Sequence, residues 1–351
     1  MRIVITGATG NFGTSLVSAL ASDPQFSSIV GIARRLPAWR PDKTSWVQAD
    51  VAADDLAPHF CGADAVVHLA WLIQPSHRED ILRRTNIDGS ARVMEAVAKA
   101  GVQTLVHASS VGTYSPGPKN RPVEESWPSE GIATSPYSRH KAAVERMLDV
   151  FEAANAHVRV VRLRPGLIFQ REAASGIRRL FLGPFFPNVL LRPGLVPVVP
   201  DVATLRFQAV HSIDVAEAAR LALLRPVRGA FNVAAEPVLD GPALAAVLSA
   251  RPIRMPEAPL RMAASATWRL HLQPSDVGWV DLAMRVPIMS TARARDELGW
   301  APRFTAIDAL RELLAGLRDG AGFATPPLEP GGKGPLRLWE ITTGVGSREA
   351  A

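Results

Sequence analysis

The chain has 351 residues, 47% of them apolar, a net charge of +6 carried mostly by arginine, and one cysteine. That length can bury a sizeable core as one large domain or two joined ones, and a lone cysteine excludes an intrachain disulfide and fits a reducing cytoplasm. The basic residues are dispersed rather than interleaved with aromatics, which argues against nucleic-acid binding, and the apolar run from Phe181 to Val199 is broken by Gly, Arg and prolines, so no membrane span is expected.

Arg2-Ile-Val-Ile-Thr6 reads as a short buried strand, starting so early that no signal peptide is expected ahead of it. Gly7-Ala-Thr-Gly10-Asn-Phe-Gly13 follows, then apolar residues at helical spacing to about residue 22. A strand, a glycine-rich turn and a helix open a dinucleotide-binding unit, in which the turn admits a pyrophosphate to the helix N-terminus. The spacing is G-x-x-G-x-x-G rather than G-x-G-x-x-G. The second strand, 28–33, should end near the adenosine ribose, where an Asp or Glu would suit NAD. Arg34 and Arg35 stand there instead, and guanidinium groups suit a ribose 2′-phosphate. NADP is therefore favoured, with NAD as the alternative.

Further strand-like runs near 45–48, 64–69, 103–108 and 157–164 alternate with helical stretches near 78–100 and 137–154. This predicts an α/β fold built on a doubly wound parallel sheet, with ligands at its carboxyl edge. In the last of these helices Tyr137 and Lys141 lie four residues apart, about one turn, and so share a face. A fixed ammonium favours a phenolate, so the spacing predicts a tyrosine acidified enough to exchange protons. His68, His107 and His140 are scattered among apolar or helical positions and read as structural, with no metal site expected.

With these motifs in order, the chain resembles the extended short-chain dehydrogenase/reductase family, in its epimerase/dehydratase-like branch, over roughly residues 1–318. The matching segments are the glycine turn, Asp50-Val51, Val66-Val-His-Leu-Ala70, Asn86-Ile-Asp-Gly89, Val106-His-Ala-Ser-Ser110, the Tyr137/Lys141 pair, Arg164-Pro165-Gly166-Leu-Ile-Phe169, Val210-His211-Ser-Ile-Asp214 and Ala294-Arg-Asp-Glu-Leu-Gly-Trp300. The resemblance implies a Rossmann sheet with a smaller substrate-capping lobe. It implies Tyr137 as general acid/base, Lys141 as ribose ligand and modulator of that tyrosine, Ser110 as partner of the substrate oxygen, and Asn86 as support of a water relay. Ser109 is the alternative to Ser110, since strand alternation sends the two hydroxyls to opposite faces. Implied cofactor contacts are Gly7, Thr9, Gly10, Asn11, Phe12, Gly13, Asp50, Val51, Leu69, Ala70, Ser109, Tyr137, Lys141, Pro165, Gly166 and Ile168, beside Arg34 and Arg35.

The expected organisation is a dinucleotide-binding domain over 1–165, with 206–235 returning to it. The capping lobe takes 166–205 and 236–323, and 324–351 forms an extended Pro- and Gly-rich tail. Its apolar patch, Leu336-Arg-Leu-Trp339, could dock on the body or in a homodimer. The diphosphate-gripping arginines of the branch match poorly: Arg206 is displaced by one residue and no R-x-G-D follows. The segment 180–191 is strongly apolar, which suits a less polar small-molecule substrate. An NADP(H)-dependent reductase or dehydrogenase acting on a carbonyl or alcohol leads. An NAD-retaining sugar-nucleotide epimerase/dehydratase comes second, and a non-catalytic cofactor-binding sensor or scaffold third.

Overall fold

The computed structural model describes residues 1–330 apart from 74–76, 179–180, 182–194, 271 and 273–274. β1 (Arg2–Thr6) carries Ile3, Val4 and Ile5 with no exposure, as a parallel strand covered on both faces requires. α1 (Asn11–Ser22) returns over the sheet to β2 (Ser28–Ala33) and β3 (Thr44–Gln48), and α2 (Ala57–Phe60) leads to β4 (Ala65–His68). α3 (Glu79–Arg83) runs through a π-wound stretch, Arg84–Asp88, into α4 (Gly89–Lys99). The helix expected near 78–100 is thus continuous but locally widened. β5 (Thr104–Ala108), the two-residue β6 (Pro122–Val123), α5 (Pro136–Ala154) and β7 (Arg159–Pro165) follow.

Beyond Pro165 come β8 (Leu167–Phe169), α6 (Ala174–Ile177), β9 (Val198–Asp201), β10 (Phe207–His211), α7 (Ser212–Leu224), β11 (Gly229–Val233) and β12 (Ala235–Leu239). The chain then forms α8 (Gly241–Leu248), β13 (Arg251–Arg254), α9 (Glu257–Arg269), α10 (Val277–Arg285), β14 (Ile288–Met289), α11 (Ala292–Leu298) and α12 (Ala306–Asp319).

Seven parallel strands form the central sheet in the order β11-β7-β5-β4-β1-β2-β3. The expected Rossmann arrangement is present. Strand order reverses between β1 and β4, and such a switch point opens a crevice at the carboxyl ends of both strands. One face of the sheet packs on α1 and α7 through Leu16, Leu20, Val215 and Ala219. The other packs on α4 and α5 through Val93, Val97, Val144 and Leu148. A three-stranded sheet, β12-β10-β8, stands apart and is backed by α12 through Ala306 and Leu310.

Within the stretch 206–235, α7 packs on the main sheet and β11 joins it, while β10 pairs in register with β8 (Val210 opposite Ile168). Residues 292–300, expected in the lobe, pack into the main core instead: Ala294, Leu298 and Trp300 lie against Val215 and Ala218. The Trp300 indole donates to Asp214 O at 2.8 Å, and the Asp214 carboxylate accepts from the backbone of Arg303 and Phe304. The two C-terminal motifs thereby lock onto each other. The tail is described only to Pro330, so the patch at 336–339 lies outside the described residues, as does most of the apolar segment 180–191. Trp300 is 1% exposed, and Trp300→Ala is expected to cost about 3–5 kcal/mol of stability. A thermal melt measures this, and an unchanged melting temperature would contradict the packing described.

Candidate active site

The crevice begins with the turn after β1. Gly7 has φ 71°, and a Cβ there would lie 2.6 Å from Ala70 N; a Cβ on Gly13 would lie 2.5 Å from Gly7 O. Only glycines let the turn pass β4 this closely and let α1 pack against it. Gly10 caps α1 without a side-chain hydrogen bond, so the first-turn amides face the crevice with no intrahelical partner. Asn11 Nδ2 donates to Ile168 O (2.9 Å), and Asn11 O accepts from Gln170 and Ser212. These bonds tie the turn to β8 and α7. Asn11 Oδ1 is buried and has no partner among the described residues. Leu69 continues β4 by donating to Thr6 O, and Gly166 N donates to Val233 O.

Phe12 is 7% exposed and belongs to the core; only its backbone is placed at the turn. Val51 packs beneath the sheet, and the Asp50 carboxylate accepts from Ala52 N at 2.9 Å. Arg34 and Arg35 are exposed just past Ala33, at the carboxyl edge of β2.

Across the crevice, β5 ends in two serines whose hydroxyls diverge as strand alternation requires. Ser109 Oγ donates to Glu145 Oε1 at 2.5 Å. This commits the Ser109 hydroxyl to Glu145 and leaves its backbone at the end of β5. Ser110 Oγ accepts from Gly112 N at 2.9 Å, and the Tyr137 ring packs over the same glycine: a Cβ on Gly112 would lie 2.8 Å from that ring and 3.3 Å from Ser110 Oγ. α5 starts at the N-cap Ser135 with Pro136 in its first turn, and Ser138 Oγ ties that turn to Gly112 O. Tyr137 is therefore delivered to Ser110 by a pinned helix start.

Lys141 is 3% exposed. Its Nζ donates to Ala108 O at 2.7 Å and lies 3.4 Å from the centroid of the Trp71 ring, but 6.0 Å from that of Tyr137. Burial pushes the Lys141 pKa down to about 7, opposed by the Glu145 carboxylate. Burial likewise pushes the Tyr137 phenol up to about 12, opposed by the Ser110 hydroxyl. The expected acidification of Tyr137 by Lys141 is thus not present in the chain alone. The shared helix face is real, but desolvation outweighs the attraction, and the ammonium is turned to Ala108 and Trp71.

The Asn86 side chain is committed to the loop after β4, which carries Trp71: its Nδ2 donates to Leu72 O and its Oδ1 accepts from Leu72 N, at 2.9 and 2.8 Å. His68 bridges Thr6 and Ser90, and burial holds its pKa down to about 3. Its structural reading stands. No group of His, Cys, Asp and Glu suited to a metal occurs among the described residues.

Sequence reasoning missed the support beneath the site. Glu145, one turn beyond Lys141, accepts from Arg164 Nε and Nη2 (both 2.9 Å) and from Arg162 Nη1 (3.1 Å). The i+4 spacing of Glu145 from Lys141 was its only sequence signal. Also unforeseen is an aromatic surround: the Tyr137 ring lies 4.9 Å from Trp279 of α10 and 6.1 Å from Trp71, and Phe181 meets Trp279 edge-on at 4.9 Å. A groove of about 850 Å³ lined by Ser15, Gln170, Glu217, Arg220 and Phe323 runs along the outer face of α1. It is an open surface feature whose Arg220 is already paired with Asp23 and Glu217. None of Ser110, Tyr137 and Lys141 lines it; these three lie together at the crevice instead.

A glycine-cradled switch point with a serine, tyrosine and lysine beside it defines a class, and comparison with known proteins gives the family. Residues 3–234 match the model of the NAD dependent epimerase/dehydratase family, and the chain belongs to that family. An uncharacterized Mycobacterium tuberculosis protein is 29% identical over 325 residues, covering 92% of this chain and 31% of its own length. The chain thus spans under a third of the length of such relatives. A UDP-glucose 4-epimerase of Mycolicibacterium smegmatis is 32% identical over 164 residues (43% of this chain, 51% of that one). The human 3 beta-hydroxysteroid dehydrogenase type 7 is 28% identical over 169 residues (44% and 45%). Among solved structures, Thermotoga maritima UDP-glucose 4-epimerase with UDP-glucose superposes with a TM-score of 0.68 at 19% identity, over 91% of this chain and 99% of that one. Thermus thermophilus UDP-glucose 4-epimerase in complex with NAD gives 0.65 at 21%, with the same coverages. These likenesses establish the fold.

With Lys141 shifted to about 7 by burial, its ammonium is expected to titrate between pH 6 and 8 in the chain alone. NMR of labelled lysine reads this directly, and a Lys141 pKa above 10 would contradict the burial described.

Proposed function

We propose that this chain is a dinucleotide-dependent oxidoreductase transferring hydride at a carbonyl or alcohol carbon, with Tyr137 as its acid/base. The observation that carries this reading is the convergence of Ser110 Oγ and the Tyr137 ring on Gly112, just past the carboxyl end of β5, with Lys141 one helical turn further on. The crevice suits a dinucleotide: a tight turn in which a Cβ on Gly7 or Gly13 would strike the backbone of Ala70 or Gly7, uncapped amides at α1, and the buried acceptor Asn11 Oδ1, without a partner among the described residues. Gly7 to Gly13 would hold the pyrophosphate, with Leu69, Ala70, Pro165, Gly166 and Ile168 along the crevice, Asp50 and Val51 on the adenine side, and Lys141 at the nicotinamide ribose.

When bound, the dinucleotide supplies or accepts the hydride. In the reducing direction Ser110 and Tyr137 hydrogen-bond the carbonyl oxygen, and Tyr137 passes its proton to that oxygen as the carbon takes the hydride. The alcohol leaves and the phenolate regains a proton from solvent. A neutral phenol near neutral pH is the form this donor step needs. Lys141, held by Ala108 O, would stabilise the transient phenolate electrostatically. Trp71 and Trp279 flank the Tyr137 ring, with Phe181 packed edge-on against Trp279, which favours a moderately apolar substrate. The finer cofactor preference we assign is NADP, from the exposed Arg34 and Arg35 at the end of β2. The single cysteine supports a cytoplasmic setting.

The named likeness to UDP-glucose 4-epimerases and the buried Arg206 Nε, which has no hydrogen-bond partner among the described residues, favour a second reading: a sugar-nucleotide epimerase that retains NAD. The two separate on cofactor turnover. The first consumes added NADPH with a carbonyl substrate, and the second purifies with dinucleotide and shows no net redox.

Tyr137→Phe is expected to lower kcat by about 10²–10⁴-fold with dinucleotide affinity retained; a variant turning over at the original rate would remove Tyr137 from the mechanism. Arg34→Asp should weaken NADP binding far more than NAD binding by calorimetry. Equal losses would show that Arg34 does not read a 2′-phosphate.

A further inference from the structure

Beyond α12 the chain turns back at the left-handed Gly320 (φ 63°) and returns to the main body. Ser175 N donates to Ala321 O and Ser175 Oγ to Gly320 O, fixing where the return begins. The next residues close on themselves: Phe323 N donates to Leu328 O, Thr325 N to Phe323 O, and Leu328 N to Thr325 O. This compact loop is seated rather than extended, since Thr325 and Leu328 are 0% and 4% exposed.

Two of its side chains reach the dinucleotide half. Thr325 Oγ1 donates to Thr9 O at 2.9 Å in a buried bond that joins residues 316 apart in sequence. Thr9 is the residue before Gly10, inside the glycine turn. Phe323 meets Trp39 edge-on at 5.1 Å. Trp39 lies on the connection that carries Arg34 and Arg35, and its own carbonyl is held by Trp46 Nε1 at 3.0 Å. The loop therefore touches both the turn that would cradle a pyrophosphate and the connection that would read the ribose.

We infer that residues 320–328 form a strap that holds the dinucleotide-binding turn in its binding conformation, with Thr325 as the positioning residue. The inference rests on the dinucleotide reading above and adds that affinity depends on residues far beyond the family-matched region 3–234. The physical reason is preorganisation. A glycine-rich turn samples many backbone conformations when unsupported, and a buried hydrogen bond to Thr9 O removes some of that freedom before the ligand arrives.

Dinucleotide affinity by calorimetry, well below the melting temperature, tests this with NADPH and NAD as probes. Thr325→Val keeps the shape and loses the donor; it is expected to raise the Kd of the bound dinucleotide about 3- to 10-fold. Thr325→Ser, which restores a hydroxyl, should recover most of the loss. Amide exchange across residues 7–13 should quicken in the Val variant. Phe323→Leu serves as the second probe where Thr325→Val folds poorly, with a Kd increase in the same direction. Wild-type binding together with unchanged affinity in both variants, even with a lowered melting temperature, would overturn the strap alone. A wild-type chain that binds neither NADPH nor NAD would overturn the dinucleotide reading and the strap with it.

Discussion

One buried carboxylate sets the geometry on which the candidate site depends. Tyr137, Lys141 and Glu145 occupy successive turns of one face of α5, and Glu145 is the residue that fixes this face against β5 and β7. Burial alone would raise its pKa, but hydrogen bonding and charge from Arg164, with Ser109 and Arg162 behind them, hold it below the usual carboxylate range. It therefore stays ionised inside the protein. Removing one partner from so buried a cluster typically costs about 3–5 kcal/mol, because the remaining charges are left uncompensated. Arg164 extends the cluster to Tyr114 and the Glu125 carbonyl, and Tyr114 in turn donates to Asn232 of β11. One polar network thus connects α5, Ser109 and the edge strand of the sheet.

That network explains an asymmetry in what the sequence discloses. Arg2–Thr6 and Gly7–Gly13 were legible because their constraints are local: an apolar run buried on both faces, and glycines that no other residue could replace. The Tyr137/Lys141 face was legible because four residues make about one turn. The direction of the tyrosine's shift was not, since spacing fixes which residues share a face and says nothing of how much water reaches it. Glu145 lies 36 residues from Ser109 and 19 from Arg164, and no local pattern announces such a meeting. Asn86 matched a motif, yet its amide is claimed by Leu72, a partner only the folded loop supplies. Trp300 was read as lobe because it follows the lobe in sequence, although its indole belongs to Asp214.

The described structure also divides its ordering between the two sides of the crevice. The dinucleotide side is held from four directions: β8 through Asn11, α7 through Ser212, β4 through Leu69, and the C-terminal loop through Thr325. The side facing Tyr137 is aromatic, built from Trp71, Trp279 and Phe181. A rigid cofactor half paired with a substrate half formed by separate segments is a recurrent division in enzymes whose fold hosts many substrates. Here Tyr137 and Trp71 precede Pro165, whereas Trp279 and Phe181 come from beyond it.

The protonation of Tyr137 is the point on which the account turns, and the chain offers a clean measurement, because it contains only two tyrosines. In protein labelled at tyrosine Cζ, both Tyr114 and Tyr137 are expected to titrate near 12 in the absence of dinucleotide, since burial pushes each up to about that value. Tyr114→Phe assigns the pair. Saturation with NADP or NAD should then lower the Tyr137 value and leave Tyr114 unmoved, as Lys141 is drawn into a shared site with the phenol. A Tyr137 resonance that ignores a bound dinucleotide would contradict the account.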